Sequence, residues 1–460
     1  MSDIKKTIKN QRRFFSTGKT KDLDFRIRNL KILRKIIIEN QDEISQALHK
    51  DLNKSAFEAY ETEIGMVLEE IRYVIKNLPK WAKRKRVRTP ITNFLSQSYI
   101  YPEPYGIVLI MSPWNYPFQL TINPLIGSIA AGNCSITKPS DYSPNTSALI
   151  NKLISENFHK SYIHVVTGGR DANQSLLTEK FDYIFFTGSV NVGKIVMEAA
   201  SKHLTPVALE LGGKSPCIID QTADIDLSAK RIIWGKLINA GQTCIAPDYI
   251  LVHKSIKDQL IDRIKYYIQK FYGEDPCSNV EYPKIVNKKH FNRLLGLMEG
   301  HNIIYGGDYN ESTNHIGPTL LDDVSLDDNV MKEEIFGPIL PILEFDNIYQ
   351  VINLVNDNPK PLALYLFSNN KSTQEKIIRD ISFGGGCIND TLVHFATSYM
   401  PFGGVGESGM GGYHGKASFD TFSHEKGIVK KSNLFDIALR YPPYKDNLKI
   451  LKKVIKWFWN

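Results

Sequence analysis

Residues 106–111 read Gly106-Ile107-Val108-Leu109-Ile110-Met111, a glycine followed by an unbroken apolar run. A continuous run rich in β-branched residues is typical of a strand that is buried on both faces, as in parallel sheets. Similar runs follow at residues 134–137, 162–166, 183–186 and 207–211, with helical segments between them. Strand–helix alternation over about 100 residues predicts an α/β fold with a doubly wound parallel sheet.

The residues at the ends of these strands are candidates for binding or catalysis, because ligands of such sheets lie at the carboxyl ends of the strands. They are Asn115, Lys138, Asp141, Gly188, Ser189 and Glu210. A carboxylate at such an end can act as a general base if its surroundings tune its pKa. A surface glutamate and a solvated lysine are the alternatives that the residues alone leave open.

A second alternating region runs from residue 217 to about residue 389, with strands near residues 250–252, 339–343 and 362–367. Upstream of the first sheet, residues 1–80 carry apolar stripes at three- and four-residue spacing, which predicts helices. The glycine-rich stretches at residues 384–386 and 403–415 are predicted loops.

One cysteine lies where a helical segment meets a strand. The stretch Asn239-Ala240-Gly241-Gln242-Thr243-Cys244 follows apolar residues at helical spacing and precedes the strand at residues 250–252. A thiol held by a packed element on each side can be aimed at a substrate, so we hypothesise that Cys244 is a covalent nucleophile. The alternative is a small buried hydrophobe, since free cysteine is often buried.

Two glycine patterns have the spacing of nucleotide-binding loops. Gly188 to Gly193, followed by Lys194, is close to a P-loop, but Ile195 stands where a Ser or Thr must bind magnesium. The helix start there can still donate N–H groups to a phosphate, with a ligand-free tight turn as the alternative. Residues 404–409 match G-x-G-x-x-G, but Pro401 interrupts the segment before them, so we interpret them as a structural loop.

Composition excludes several classes of function. The chain has 460 residues, a net charge of +8 and a pI near 8.9, which a solvated surface explains without nucleic acid. Its five cysteines are scattered and show no metal or disulfide spacing, which fits a reducing compartment. No apolar run is long enough for a bilayer, and no apolar core follows the lysine-rich start, so we expect a cytoplasmic protein.

Seven segments together resemble the aldehyde dehydrogenase superfamily, in order and over most of the chain. They are residues 113–117, 138–140, 186–189, 210–214, 241–244, 333–338 and 401–409. The short N-terminus and the segments at residues 413–416 and 440–443 resemble the class 3, fatty-aldehyde branch.

This resemblance implies a role for each candidate residue. Cys244 attacks the aldehyde carbonyl, Asn115 and the Cys244 backbone N–H form an oxyanion hole, and Glu210 activates the hydrolytic water. The residues implied to hold the adenosine and diphosphate end of the cofactor are Lys138, Asp141, Gly188, Ser189 and Gly193. Glu334 and Phe336 position the nicotinamide ribose and ring. The branch usually has glutamate at the position of Asp141, so the resemblance implies NAD with NADP possible.

The implied function is NAD(P)-dependent oxidation of medium- to long-chain or aromatic aldehydes to carboxylic acids through a thioester. A CoA-acylating relative and a catalytically silent cofactor-binding protein are the alternatives. The resemblance also implies a homodimer. The amphipathic tail, with lysines on one face and Leu448, Leu451, Ile455 and Trp459 on another, is predicted to touch a membrane surface or to pack on protein.

The implied domains follow the same scheme. Residues 1–209 form the helical N-terminus and a Rossmann-like NAD(P)-binding domain, with a bridging segment at residues 82–104. Residues 210–395 form an α/β catalytic domain, residues 396–440 a glycine-rich return segment, and residues 441–460 the tail.

Overall fold

The computed structural model describes residues 2–90, 93–436, 438–444 and 447–459, without the side chains of residues 2, 458 and 459. The chain forms two compact units, one of Met1–Ala82 and Glu103–His424, the other of Lys83–Pro102 and Glu425–Asn460. The Trp459 side chain, which belongs to the predicted apolar face of the tail, therefore lies outside the description.

Helices occupy the N-terminal region, as predicted, and connect the strands. They are α1 (Ser2–Ser16), α2 (Leu23–Glu39), α3 (Gln41–Leu52), α4 (Ala56–Ala59), α5 (Gly65–Trp81), α6 (Gln119–Ala131), α7 (Pro144–Asn157), α8 (Arg170–Leu177), α9 (Val190–Ser201), α10 (Ile225–Leu237), α11 (Lys257–Tyr272), α12 (Lys288–Met298), α13 (Asn329–Lys332), α14 (Ile348–Asn356), α15 (Lys371–Asp380), α16 (Gly415–Thr421) and α17 (Asn447–Trp459). A π-helical turn, Tyr60–Ile64, joins α4 to α5.

The strands alternate with these helices over most of the chain. They are β1 (Lys85–Val87), β2 (Ser96–Pro104), β3 (Ile107–Met111), β4 (Cys134–Lys138), β5 (Ile163–Val165), β6 (Tyr183–Thr187), β7 (Val207–Glu210), β8 (Pro216–Ile219), β9 (Tyr249–His253), β10 (Asn302–Tyr305), β11 (Tyr309–Asn310), β12 (His315–Ile316), β13 (Thr319–Asp322), β14 (Ile339–Phe345), β15 (Ala363–Phe367), β16 (Gly385–Ile388), β17 (Gly409–Met410) and β18 (Ser423–Lys431).

The opening apolar run lies inside the first sheet, whose strand order is β17-β7-β6-β3-β4-β5. Every residue of β3 is buried, and β3 pairs in parallel with β4 and β6. Helices α6, α7 and α9 connect the parallel strands and pack on them. The predicted doubly wound parallel sheet is confirmed, and its carboxyl edge carries the residues that follow Met111, Lys138, Thr187 and Glu210.

The second sheet has the order β10-β13-β14-β9-β8-β15-β16, with all neighbours parallel except β10 and β13. Strand membership changes from the first sheet to the second between β7 and β8 and returns at β17. Both sheets belong to the first compact unit, and the predicted division at residue 210 stays a prediction.

Two glycine-rich stretches predicted as loops contain strands, and that prediction was wrong there. Gly385 and Gly386 open β16, where a Cβ on Gly386 would lie 2.0 Å from the backbone oxygen of Leu364 on β15. Gly409 begins β17, which pairs antiparallel with β7 opposite Glu210. Glycine is present because neighbouring backbones approach too closely for a side chain, and such positions lack the apolar pattern of a strand.

The second compact unit contains β1, most of β2 and most of β18, which form a three-stranded sheet, and the tail helix α17. In the described part of α17, Leu448, Leu451 and Trp457 are exposed. Within the described residues, we find no helix with the length and apolar character needed to cross a membrane.

Candidate active site

A sharp turn positions Cys244. Helix α10 ends at Leu237, and Asn239 and Ala240 then take left-handed backbone angles, with φ of 54° and 50°. Gly241 follows with φ of 74°, and a Cβ there would lie 2.3 Å from the backbone oxygen of Gly337. The chain therefore needs glycine at this point, and it leaves Cys244 in the loop just before β9.

Asn239, the first of the two strained residues, is held by a buried contact. The backbone N–H of Asn239 donates to Glu58 Oε1 at 2.8 Å. Burial raises the pKa of the Glu58 carboxyl from 4.5 to about 7. Non-glycine residues persist in left-handed geometry where the surroundings over-determine them, as often happens at functional sites.

Asn115 lies between β3 and α6, and its side chain faces the cysteine loop. It is 2% exposed, and its Nδ2 donates to the backbone oxygen of Gln242 at 2.9 Å. This bond uses one of the two Nδ2 protons and leaves the other for a ligand. Gln242 is itself fixed, because its side chain bonds the backbone of Asn239 and Val286.

Glu210 ends β7, where it pairs with Thr187 on β6 and Gly409 on β17. It is 3% exposed, and within the described structure neither carboxyl oxygen has a hydrogen-bond partner. Burial therefore raises its pKa well above the ordinary value. A carboxyl kept free of structural bonds is available to take a proton from water.

Cys244 is partly exposed, whereas Cys134 and Cys217 are buried. Desolvation raises the pKa of the Cys244 thiol, and the nearby carboxyls of Glu334 and Glu210 raise it further. The backbone N–H groups of Cys244 and Ile245 oppose this shift. Of the described thiols, Cys244 is the one that lines both a large cleft and a smaller apolar cavity.

The large cleft brings most of the predicted site residues together. Its volume is about 510 Å³. Of the predicted residues, the cleft is lined by Asn115, Gly188, Ser189, Glu210, Cys244, Glu334 and Phe336. Ser189 is the N-cap of α9, so the unpaired N–H groups of a helix start face this cleft.

Three predicted cofactor residues are not among those that line this cleft. Lys138 ends β4, is 3% exposed and donates from Nζ to the backbone oxygen of Pro139 at 2.8 Å. Asp141 follows it on the surface. Gly193 lies in α9, where a Cβ would come within 2.7 Å of Leu211 Cδ2, so this glycine allows close helix–strand packing. The cofactor roles of these three residues stay predictions.

Glu334 and Phe336 line the cleft from the loop between α13 and β14. Glu334 Oε2 would be 2.1 Å from a Cβ on Gly212, so the carboxyl sits directly over glycine backbone. Burial, with Asp248 nearby, raises the pKa of Glu334 to about 8. Phe336 meets the edge of Trp114 at a ring-centroid distance of 5.3 Å.

The smaller cavity, of about 150 Å³, adjoins Cys244, Glu210 and Thr243. Its apolar lining includes Met66, Leu120, Trp234, Ile238, Phe395 and Phe402. Sequence reasoning missed these residues. They come from segments far apart in the chain, and each has the apolar character of an ordinary core residue, so no local signal marks them.

A nicotinamide dinucleotide fits the larger cleft on chemical grounds. The start of α9 offers N–H donors for a diphosphate, and the buried Glu334 Oε1 has no partner among the described residues. The cleft and its thiol are those expected of a nicotinamide-dependent dehydrogenase with an active-site cysteine.

The sequences of known proteins also identify this chain as a dehydrogenase. Residues 1–428 match the sequence model of the aldehyde dehydrogenase family, and the chain belongs to this family. It is 50% identical to the 4,4'-diaponeurosporen-aldehyde dehydrogenase of Staphylococcus aureus, over 99% of this chain and 100% of that protein. It is 46% identical to a dimeric, NADP-preferring aldehyde dehydrogenase of Canis lupus familiaris, over 96% of this chain and 98% of that one.

Solved structures of aldehyde dehydrogenases have the same fold as this chain. A structure titled as the substrate-bound state of Staphylococcus aureus AldH superposes with a TM-score of 0.96 at 50% identity, covering 98% of this chain and 99% of that one. An NAD-dependent aldehyde dehydrogenase of Sinorhizobium meliloti gives a TM-score of 0.87 at 27% identity, with coverage of 95% and 88%. The protein is therefore an oxidoreductase that oxidises aldehydes with NAD(P), on the aldehyde dehydrogenase fold.

Proposed function

We propose that the chain hydrolyses its acyl intermediate to a carboxylic acid, with Cys244 as nucleophile, Asn115 as oxyanion donor and Glu210 as general base. The observation that carries the proposal is that these three residues line one cleft although they are distant in sequence. Loss of turnover in Cys244→Ala, with a slow second step in Glu210→Gln, tests these roles.

Each residue has a separate task in the proposed mechanism. The Cys244 thiolate attacks the carbonyl carbon, and the oxyanion that forms is met by the free Nδ2 proton of Asn115 and the Cys244 N–H. When bound, with Glu334 and Phe336 as its proposed contacts, nicotinamide would supply the acceptor for the hydride that leaves the former carbonyl carbon, and a thioester would remain on Cys244. Glu210 then takes a proton from a water molecule that attacks the thioester, and the thiolate of Cys244 is the leaving group.

The proposed substrates are apolar aldehydes of medium to long chain or with aromatic groups. The cavity on the other side of Cys244 supports this, because Trp234, Ile238 and Phe395 line it. One relative at 50% identity is named 4,4'-diaponeurosporen-aldehyde dehydrogenase. Across a series of straight-chain aldehydes, kcat/KM is expected to rise with chain length. A flat series, or a preference for charged short aldehydes, would contradict the proposal.

Water, and not CoA, is the proposed acyl acceptor. The support is Glu210, whose carboxyl oxygens are buried in the cleft that Cys244 also lines and have no hydrogen-bond partner in the described part of the chain. Turnover of hexanal with NAD is expected to proceed without CoA and to yield hexanoic acid. A requirement for CoA, with hexanoyl-CoA as product, would establish the acylating alternative.

NAD is the proposed cofactor, with NADP also accepted. The shorter Asp141 supports tolerance of a 2'-phosphate, since it reaches less far towards the adenosine ribose than glutamate does. Lys138, Asp141, Gly188, Ser189 and Gly193 are the proposed contacts at this end, and Glu334 and Phe336 those at the nicotinamide end. In Asp141→Glu, KM for NADP is expected to rise relative to KM for NAD. An unchanged ratio would remove Asp141 from this role.

We also propose a cytoplasmic homodimer. A relative at 46% identity is named as dimeric, which supports the dimer. Mass photometry at nanomolar concentrations is expected to give twice the monomer mass of 52.3 kDa. A monomer mass at all concentrations would contradict the proposal.

Peripheral membrane contact through α17 is the last part of the proposal. Exposed Leu448, Leu451 and Trp457 share this helix with Lys449, Lys452, Lys453 and Lys456, a composition typical of interfacial helices. Full-length chain is expected to co-sediment with anionic liposomes more than a chain of residues 1–440. Equal partitioning would leave packing on protein as the role of the tail.

A further inference from the structure

A fully buried ion pair lies beneath the proposed oxyanion hole. Lys54, between α3 and α4, places its Nζ 2.6 Å from Glu63 Oε1, and both side chains are 0% exposed. Glu63 belongs to the π-helical turn, a rare geometry that occurs often at functional sites. Its other oxygen accepts the backbone N–H groups of Phe118 and Gln119, at the start of α6.

The ammonium group also reaches the residue that carries the proposed oxyanion donor. Lys54 Nζ donates to the backbone oxygen of Asn115 at 3.0 Å. It lies 3.9 Å from the ring centroid of Tyr116, whose hydroxyl is 2.6 Å from Thr243 Oγ1. One buried cation therefore contacts both residues of the turn, and that turn contacts the residue just before Cys244.

We infer that Lys54 is a positioning residue for the oxyanion hole, an inference that rests on the proposed role of Asn115. The Asn115 side chain is held by one bond to Gln242, which fixes its distance from the cysteine loop. Its main chain is held by Lys54 and by Asn239 Nδ2, which donates to the same oxygen at 2.8 Å. Lys54 thus sets where the free Nδ2 proton points.

Burial makes this arrangement sensitive to the partner charge. A buried charge is stabilised only while its hydrogen bonds and its counter-charge are present. Lys54→Met alone would leave the Glu63 carboxylate buried without its counter-charge and would destabilise the fold. The informative variant is the pair Lys54→Met with Glu63→Gln. It removes both charges and keeps a side-chain oxygen for the backbone N–H groups at the start of α6.

The paired variant is expected to lose about tenfold to a hundredfold in kcat, since a misplacement of about 1 Å can cost that much. KM for aldehyde and the dissociation constant for NAD are expected to stay within threefold. Glu63→Gln alone removes the counter-charge of Lys54 but keeps the hydrogen bond from Lys54 to Asn115, so its melting temperature is expected to fall while kcat per folded enzyme falls less than in the paired variant. A folded paired variant with unchanged kcat would overturn the inference. If that pair does not fold, Glu63→Gln decides: a loss as large as that of Asn115→Ala would overturn it.

A double-mutant cycle separates positioning from general stability. In an Asn115→Ala background the Lys54/Glu63 changes are expected to cause no further loss of kcat, because the donor they position is absent. Full additivity would show that Lys54 acts elsewhere. If Asn115→Ala itself retains wild-type kcat, the proposed role of Asn115 fails, and that result is distinct from a failure of the inference.

Arg26 provides the matched control. It is a buried cation that donates to the backbone oxygens of Thr20 and Ala130 and makes no contact with Asn115 in the described structure. Arg26→Met is expected to lower the melting temperature and to leave kcat per folded enzyme unchanged. A fall in kcat equal to that of the Lys54/Glu63 pair would show that loss of any buried cation suffices, which would overturn the inference.

Discussion

Replacement of Glu210 by glutamine should separate the two halves of the reaction. The amide has nearly the shape of the carboxyl, and no described hydrogen bond of the Glu210 side chain is lost, because neither oxygen has a partner. The proton acceptor is lost. Acylation of Cys244 does not need this acceptor in the proposed mechanism, whereas deacylation does.

The expected magnitude follows from the role. A positioned general base contributes about 10²–10⁴ in rate, or about 3–5 kcal/mol of activation free energy. Steady-state kcat of Glu210→Gln should therefore fall by that factor. Glu210→Gln removes the ionisable group whose pKa burial raises and keeps the shape of the side chain, so the variant is expected to stay folded at neutral pH, which its melting temperature checks.

Stopped-flow absorbance of reduced nicotinamide is the assay. Glu210→Gln should give a burst close to one equivalent per active site at the wild-type rate, followed by slow turnover. Glu198→Gln, which changes an exposed carboxylate on α9, should alter neither phase. Loss of the burst in proportion to the steady-state rate would refute the assignment, since Glu210 would then act before the thioester forms.

Four further predictions test other parts of the structure. Cys244→Ala should abolish turnover and keep NAD binding, measured by calorimetry; residual turnover would remove Cys244 as nucleophile. Because burial raises the pKa values of Cys244 and Glu210, their ionised fractions grow as pH rises, so kcat should increase from neutral to alkaline pH. A profile that falls over this range would contradict both assignments. The pKa of Glu58 is about 7 in the folded protein and its ordinary value is 4.5. As the pH rises from 4.5 to about 7, the unfolded chain loses this proton before the folded protein does, so the free energy of unfolding decreases. Denaturant titrations should show a weaker fall in Glu58→Gln, and parallel wild-type and variant curves would argue against it. Gly241→Ala should lower the unfolding free energy by about 2–5 kcal/mol, the combined cost of left-handed backbone and overpacking. A change below about 1 kcal/mol in the same titrations would show that the turn relaxes freely.

The sequence predicts the first sheet and much of the candidate site for one physical reason. Fully buried strands such as β3 need continuous apolar residues, and parallel topology brings the residues just past each strand to one edge. Asn115 and Glu210 could therefore be selected before any coordinates. The local context of Cys244, a glycine turn between a helix and a strand, fits a buried hydrophobe as well as a nucleophile, and the motifs in the rest of the chain favour the nucleophile.

Other features depend on contacts that no local pattern records. Residue 386 lies in a strand and is glycine because the backbone of Leu364 on the neighbouring strand comes close. From the sequence alone, a run of glycines predicts a loop. Lys54 and Glu63 are charged residues in polar-looking segments, and only the fold shows them buried against each other. Residues that line the apolar cavity, such as Trp234 and Phe395, meet only when distant segments pack together.

The pairing of β17 with β7 bears on the timing of synthesis. Chains emerge from the ribosome N-terminus first, and Gly409, the partner of Glu210, is made about 200 residues after it. Until then one border of β7 has unpaired backbone groups, a template on which nascent or prematurely terminated chains can aggregate. The edge of β7 is thus completed only after residue 409 has been made, and C-terminal truncations that remove residue 409 should be insoluble.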